Sequence, residues 1–227
     1  MSRAPEPFDV PLAHGGRVTA VRYAAEGETL GAIVLAHGAG ANQRHAFMVN
    51  AALGLARRGV DTTTFNFAYT EAGRRAPDPA PKLEACFRDV VRAVRARAYG
   101  ARPIFLGGKS MGGRMASHLG AAGEAHLAGL VFLGYPLHPP GDPSKERSAH
   151  LPRVEAPMLF VQGTRDPFGT PEELAPVVRG LRAKVVIFPV AQGGHSFEVP
   201  KRGGPSQADV MEVVLDRVAS FVADPLA

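Results

Sequence analysis

The residues best placed to do chemistry are Gly108-Lys109-Ser110-Met111-Gly112. A serine with a glycine two residues away on each side suits a very tight strand-to-helix turn that lifts the hydroxyl clear of the backbone. The serine is then held in a strained conformation. Larger residues at the two glycine positions would collide with the adjoining strand and helix. The apolar stretch Pro103 to Gly107 precedes the turn, and the helix-like stretch Gly113 to Leu119 follows it. The first N–H groups and the positive dipole end of that helix would face the hydroxyl. The chemistry this prepares is nucleophilic attack on an acyl carbon, which needs a base beside the serine.

The turn delivers its partners in the chain order Ser, Asp or Glu, His, each after a strand end. Asp166 lies in Gly163-Thr164-Arg165-Asp166-Pro167, after the apolar run Met158 to Gln162. His195 lies in Gln192-Gly193-Gly194-His195-Ser196-Phe197, after the run Lys184 to Val190. His195 is expected to take the Ser110 proton and return it to the leaving group, while Asp166 fixes the imidazole tautomer. An Asp before Pro also serves as a turn residue, and a His in a glycine-rich loop can be merely exposed; joint order and position favour the catalytic reading. Asp142, in a proline-rich loop, and Glu155, ahead of its strand, match the acid position less well. Of the remaining histidines, His45 and His138 fall in loops at the same edge; His14, His118, His126 and His150 read as surface or helix residues. The oxyanion donors are expected to be the backbone N–H groups of Met111 and Ala39, with Gly40 as the second choice for the latter, in the small-residue turn His37-Gly38-Ala39-Gly40. Lys109 and Met111 flank the serine and could line its cleft.

These residues need a scaffold. Phe8–Ala13 and Val18–Ala25 read as strands joined at Gly15-Gly16, a hairpin signal. Ala32–Ala36, too short for a helix, reads as a buried parallel strand. Ala46–Arg58 has helical periodicity and closes at Gly59. Val60–Phe67 is a strand rich in Thr and Phe, and Ala72–Pro81 a proline-rich loop. Lys82–Tyr99 is an amphipathic helix stopped by Gly100, with Leu83, Cys86, Phe87, Val90, Val91 and Val94 on its apolar side. Cys86 therefore reads as a small buried hydrophobe. After the turn strand and its helix come strand Leu127–Leu133, the proline-dense segment Gly134–Pro152 and strand Met158–Gln162. Helix Pro171–Leu181, strand Lys184–Val190, loop Gln192–Pro205 and helix Gln207–Val222 complete the chain. Alternating strands and helices imply a mostly parallel sheet covered on both faces, with function at the carboxyl ends of the strands.

The 227 residues read as a single domain, 1–227, with no linker or charge block dividing them. Apolar content of 45% and charged content of 21% are ordinary for a globular protein. No apolar run approaches the ~20 residues of a membrane span, and Met1 to Asp9 lacks the apolar core of a signal peptide. With one cysteine, a cytoplasmic location is expected. The net charge of +5 comes from arginines spread along the chain, among them Arg22, Arg44, Arg57, Arg88, Arg114, Arg179 and Arg217. They read as a solvated surface rather than a nucleic-acid interface. No His/Cys cluster has metal-ligand spacing, and no phosphate or dinucleotide fingerprint occurs, so neither metal nor cofactor is expected. The expected partner is a small-molecule ester or thioester, with no role for nucleic acid or membrane.

From about Val18 to Val222, through HGAG, GGKSMGGRMAS, QGTRDPF and GGHSF, the chain resembles the α/β-hydrolase superfamily. The strings FNFAYTEAGRRAPDP and GYPLHPPGDPSKERSAHL carry a narrower likeness. They resemble a compact bacterial group related to dienelactone hydrolases, and the hydrolase-like domain of the NSL chromatin-complex subunit and its testis-expressed relatives. Dienelactone hydrolases use a cysteine where this chain has Ser110. The resemblance implies an α/β-hydrolase fold: a three-layer sandwich with an eight-stranded, mostly parallel sheet whose second strand runs antiparallel. It places Ser110, Asp166 and His195 at the nucleophile, acid and base positions. Only 166 − 110 = 56 positions separate Ser110 from Asp166, which leaves no room for a large cap domain; Pro136 to Pro152 is the candidate lid. A shallow, open site follows, suited to small or exposed acyl groups. The expected function is carboxylic-ester hydrolysis through an acyl-enzyme. Thioester or peptide hydrolysis, perhydrolysis, or a non-catalytic interaction module on the same scaffold are the alternatives.

Overall fold

The inner strands of the central sheet alternate their side chains between two apolar layers, and that alternation sets the architecture. A computed structural model describes residues 4–99, 103–124, 126–200, 202 and 204–226. Its strands are β1 (Glu6–Pro11), β2 (Arg17–Tyr23), β3 (Gly31–Ala36), β4 (Val60–Phe65), β5 (Ile104–Lys109), β6 (Leu127–Leu133), β7 (Met158–Gly163) and β8 (Val185–Val190). They form one eight-stranded sheet in the order β1-β2-β4-β3-β5-β6-β7-β8. β2 runs antiparallel to β1 and β4, and the remaining pairs are parallel.

Val34, Leu106, Leu130, Phe132 and Phe160 point to one face, against α3 (Ala80–Val94), α4 (Met111–Ala121) and α5 (Pro171–Val178). Ile33, Leu35, Phe105, Val131 and Leu159 point to the other, against α1 (Ala46–Arg57) and α6 (Gln207–Ala223). The central strands are thus buried on both sides, which explains why they read as unbroken apolar runs. Among the described residues no separate cap domain sits over the sheet.

Four details depart from the sequence reading. β4 ends at Phe65, because the Phe67 N–H donates to His37 Nε2 at 3.3 Å instead of to a neighbouring strand. The chain then turns into a short helix, α2 (Ala68–Glu71), that composition did not signal. α3 passes into a π-helical turn, Arg95–Tyr99; Gly100, read as its stop, lies outside the described residues. From β3 onward, the strand–helix alternation breaks once among the described residues, between β6 and β7, where only a 3₁₀ turn at Leu151–Arg153 intervenes. Cys86 is buried and free, its thiol pushed up to about 12 chiefly by burial.

Candidate active site

β5 delivers Ser110 to the centre of the sheet's carboxyl edge. Ser110 has φ 51° and ψ −117°, a left-handed conformation that costs a non-glycine residue about 1–3 kcal/mol. The turn is close-packed on both flanks. A Cβ on Gly108 would lie 2.3 Å from the Ala36 carbonyl oxygen, and one on Gly112 would lie 2.2 Å from that same oxygen. β3 and α4 can therefore approach only over bare backbone, and this closeness brings the HGAG loop beside Ser110.

The three side chains singled out by spacing meet here. His195 Nε2 lies 2.8 Å from Ser110 Oγ, and His195 Nδ1 lies 2.8 Å from Asp166 Oδ2. A carboxylate can only accept at Nδ1, so Nδ1 carries the proton and Nε2 presents its lone pair to the serine hydroxyl. Asp166 is 2% exposed and fully engaged. Its Oδ1 accepts from the Phe168 N–H at 2.9 Å, and its Oδ2 also accepts from Gln162 Nε2 at 2.8 Å. The Phe168 ring lies against the imidazole, centroids 4.3 Å apart. Asp142, the rival acid, is partly exposed and pairs with Lys145 at 2.8 Å. Glu155 lies beside Pro157 in a different surface hollow.

Two residues important to this geometry carry no chemical motif. Gln162, at the end of β7, donates to Asp166 Oδ2, to the Gly169 carbonyl (2.6 Å) and to the Tyr135 carbonyl (3.2 Å), and accepts from the Tyr135 N–H (2.8 Å). It ties the acid loop to the strand next door. His37, at the start of the HGAG loop, is fully buried. Its Nε2 accepts from the Phe67 N–H, so Nδ1 carries the proton and donates to the Gly38 carbonyl at 2.8 Å. Burial lowers its pKa from 6.5 to about 4, which keeps the ring neutral and that tautomer fixed. The only sequence signal for either residue was its place at a strand end.

A cleft of about 520 Å³ opens above Ser110. Gly38, Ala39 and Met111 line it, and so do Lys109, Arg114 and Arg147. His45 also lines it, and caps α1 through Nδ1. His138 does not: it is buried against the Pro139 carbonyl and Glu173. Arg114 departs from the solvated reading of the arginines, being half-buried with an Nε that has no partner among the described residues. The Lys109 ammonium is likewise buried and without a hydrogen-bond partner there, and burial lowers its pKa from 10.5 to about 8.

The segment Pro136–Pro152 forms one wall of this cleft through Pro136 and Arg147. It is fastened at several points. Tyr135 Oη donates to the Arg147 carbonyl at 2.9 Å, the Arg147 N–H to the Leu137 carbonyl at 2.7 Å, and the His138 N–H to the Phe168 carbonyl at 3.0 Å. Leu137, Ser148 and Leu151 are buried. Among the described residues no helix is long and apolar enough to cross a membrane, and no three His, Cys, Asp or Glu groups are placed to hold a metal ion.

Comparison with solved structures returns this same fold. An alpha-beta serine hydrolase homologue from Coxiella burnetii superposes with a TM-score of 0.73 at 19% identity, covering 100% of this chain and 99% of the other. A dienelactone hydrolase from Anabaena variabilis gives 0.75 at 16% identity, over 96% and 97%. An a/b serine hydrolase without lid from Xanthomonas campestris gives 0.70 at 18%, over 98% and 93%. The alpha/beta hydrolase domain family matches residues 29–223. With the sheet order, the strained serine and this match over most of its length, the chain belongs to the alpha/beta hydrolase domain family.

Proposed function

We propose that the protein is a serine hydrolase that cleaves carboxylic esters of small or exposed acyl groups through an acyl-enzyme. The observation that carries this reading is the continuous hydrogen-bonded chain Ser110 Oγ, His195, Asp166, with both links at 2.8 Å. Ser110 Oγ attacks the substrate carbonyl carbon as its proton passes to His195 Nε2. The imidazolium that forms is stabilised by Asp166. Negative charge gathers on the carbonyl oxygen, which the N–H groups of Met111 and Ala39 receive; losing one such donor typically costs about 10²–10³ in turnover. Collapse of the tetrahedral species expels the alcohol, which takes the proton from Nε2. Water then enters, gives a proton to Nε2 and attacks the acyl carbon; Ser110 leaves with that proton.

The open cleft and the absence of a cap domain favour short or protruding acyl groups. The neighbouring folds described as serine and dienelactone hydrolases agree with an ester substrate. The test is hydrolysis of 4-nitrophenyl acetate by the wild type and by Ser110→Ala. Turnover that vanishes in the variant supports the mechanism. Turnover unchanged in the variant refutes it. A wild type inert to this ester and to every fluorophosphonate would favour the interaction-module reading.

A further inference from the structure

The cleft wall holds more positive charge than hydrolysis of a neutral ester needs. Arg114 stands one helical turn after Ser110 on α4, so its side chain rises on the face of the helix that carries the nucleophile. Arg147 reaches the same cleft from the segment opposite, its backbone pinned on both sides by Tyr135 and Leu137. Neither guanidinium has an acidic partner among the described residues, and the Arg114 Nε is buried with no acceptor at all. The two cations lie close enough that Arg147 lowers the proton affinity of Arg114. Lys109, 7% exposed, adds a third unpaired cation beside the nucleophile.

The acids nearby make their ion pairs with other cations. Asp78 Oδ1, in the cleft wall, binds Arg74 at 2.7 Å and Lys82 at 3.5 Å, while its Oδ2 is buried without a partner among the described residues and pairs with neither Arg114 nor Arg147. Glu84, the carboxylate whose charge acts on Arg114, binds His118 Nδ1 at 2.7 Å. A guanidinium nitrogen that is buried without an acceptor, as the Arg114 Nε is, is costly unless a ligand completes the group. Two forks facing one cleft match the paired oxygens of a carboxylate or phosphate.

Resting on the ester-hydrolase reading, we infer that Arg114 and Arg147 form an anion subsite, and that the substrate is an ester carrying a carboxylate or phosphate group beside its scissile bond. The subsite sets specificity; Ser110, His195 and Asp166 still do the chemistry. Lys109 strengthens the attractive field without being required to touch the anion.

The experiment compares esters that differ only in charge. Mono-4-nitrophenyl glutarate is set against 4-nitrophenyl pentanoate for an anion on the acyl side, and 4-acetoxybenzoate against phenyl acetate for one on the alcohol side. The wild type should favour the anionic member of at least one pair by about tenfold or more in kcat/KM. Arg147→Gln and Arg114→Gln should each cut that ratio severalfold, mainly through KM of the anionic ester. If Arg114→Gln fails to fold, Arg147→Gln carries the comparison. No anionic preference in either pair, or a preference that survives both substitutions, overturns the subsite.

A calorimetric arm keeps the two readings apart. Monomethyl glutarate and inorganic phosphate are titrated into Ser110→Ala, with and without Arg147→Gln. If the wild type turns over no ester but either anion binds and Arg147→Gln abolishes that binding, the subsite stands and the hydrolase reading falls. If neither anion binds, the subsite falls whatever the turnover. The tighter of the two anions names the group it takes.

Discussion

Ser110, Asp166 and His195 form a chain of hydrogen bonds whose direction is fixed from the buried end. Asp166 accepts from His195, Gln162 and Phe168, so its orientation is set before substrate arrives. Asp166→Asn would leave the shape intact and admit the wrong imidazole tautomer; kcat for 4-nitrophenyl acetate should fall by about 10³–10⁴. Gln162 is a positioning residue. Gln162→Leu strips Asp166 of one donor and leaves the Tyr135 N–H unpaired in the core. Each such loss costs about 1–3 kcal/mol. The variant should melt lower and lose kcat about tenfold or more with KM little changed; a proportionate rise in KM alone would deny the positioning role. At this scale the three side chains that meet were legible, because serine, aspartate and histidine each followed a strand end in a fixed order. Gln162 and His37 were not, because their roles depend on backbone groups brought close only by neighbouring strands.

At the scale of elements, the strand–turn–helix unit β5–Ser110–α4 works only if β3 and α4 touch backbone to backbone. Gly112→Ala would drive a methyl into the Ala36 carbonyl. Overpacking of this kind costs about 1–3 kcal/mol or more, and the shift would fall on the loop that carries Ala39. The variant should lose stability and esterase turnover together, measured by thermal melting beside the 4-nitrophenyl acetate assay. A fully active, fully stable Gly112→Ala would contradict this account of the turn.

His37 joins the end of β3 to the chain after β4 through the Phe67 N–H. Its proton affinity is lowered in the fold, from 6.5 to about 4. The unfolded chain therefore binds the proton first as pH falls. The stabilising effect of the neutral ring is whole above pH 6.5 and is lost progressively down to about 4, by roughly 3 kcal/mol. His150, also lowered to about 4 by burial and by its cationic neighbours, acts in the same window. Denaturant melts from pH 7 to pH 4 should show this slope, and His37→Asn should flatten it. The short helix α2 escaped the sequence reading for a related reason: Val60–Phe67 is rich in Thr and Phe to its end, and only the His37 contact shows where the strand stops.

Over the whole molecule, the sheet and its two covering layers were legible from short apolar runs separated by amphipathic helices. The break in alternation at Gly134–Pro152 was visible as proline density. That this segment is fastened down as a cleft wall depends on Tyr135 and Leu137, which carried no signal of their own within the proline-dense stretch. Composition also misled on charge: an arginine count cannot separate a solvated guanidinium from Arg114. Lys109 shows what the concentration of charge at the site costs the whole fold. Its proton affinity is lowered from 10.5 to about 8, so folding around the charged amine is unfavourable below pH 8. The penalty, roughly 3 kcal/mol, is relieved as pH rises from 8 to 10.5. Lys109→Met should raise Tm at pH 7 by several degrees, with the gain shrinking over that alkaline window. A variant that melts lower than the wild type at pH 7 would show that the ammonium is compensated.

The central claim is that one hydroxyl, activated by one imidazole, is the nucleophile. It is tested most directly by peptide mass mapping after timed exposure to a fluorophosphonate, in the wild type and in His195→Ala. A single adduct on Ser110, formed at least about a thousandfold more slowly without the imidazole, is the predicted result. An adduct on another residue, or equal rates in the two proteins, would contradict it.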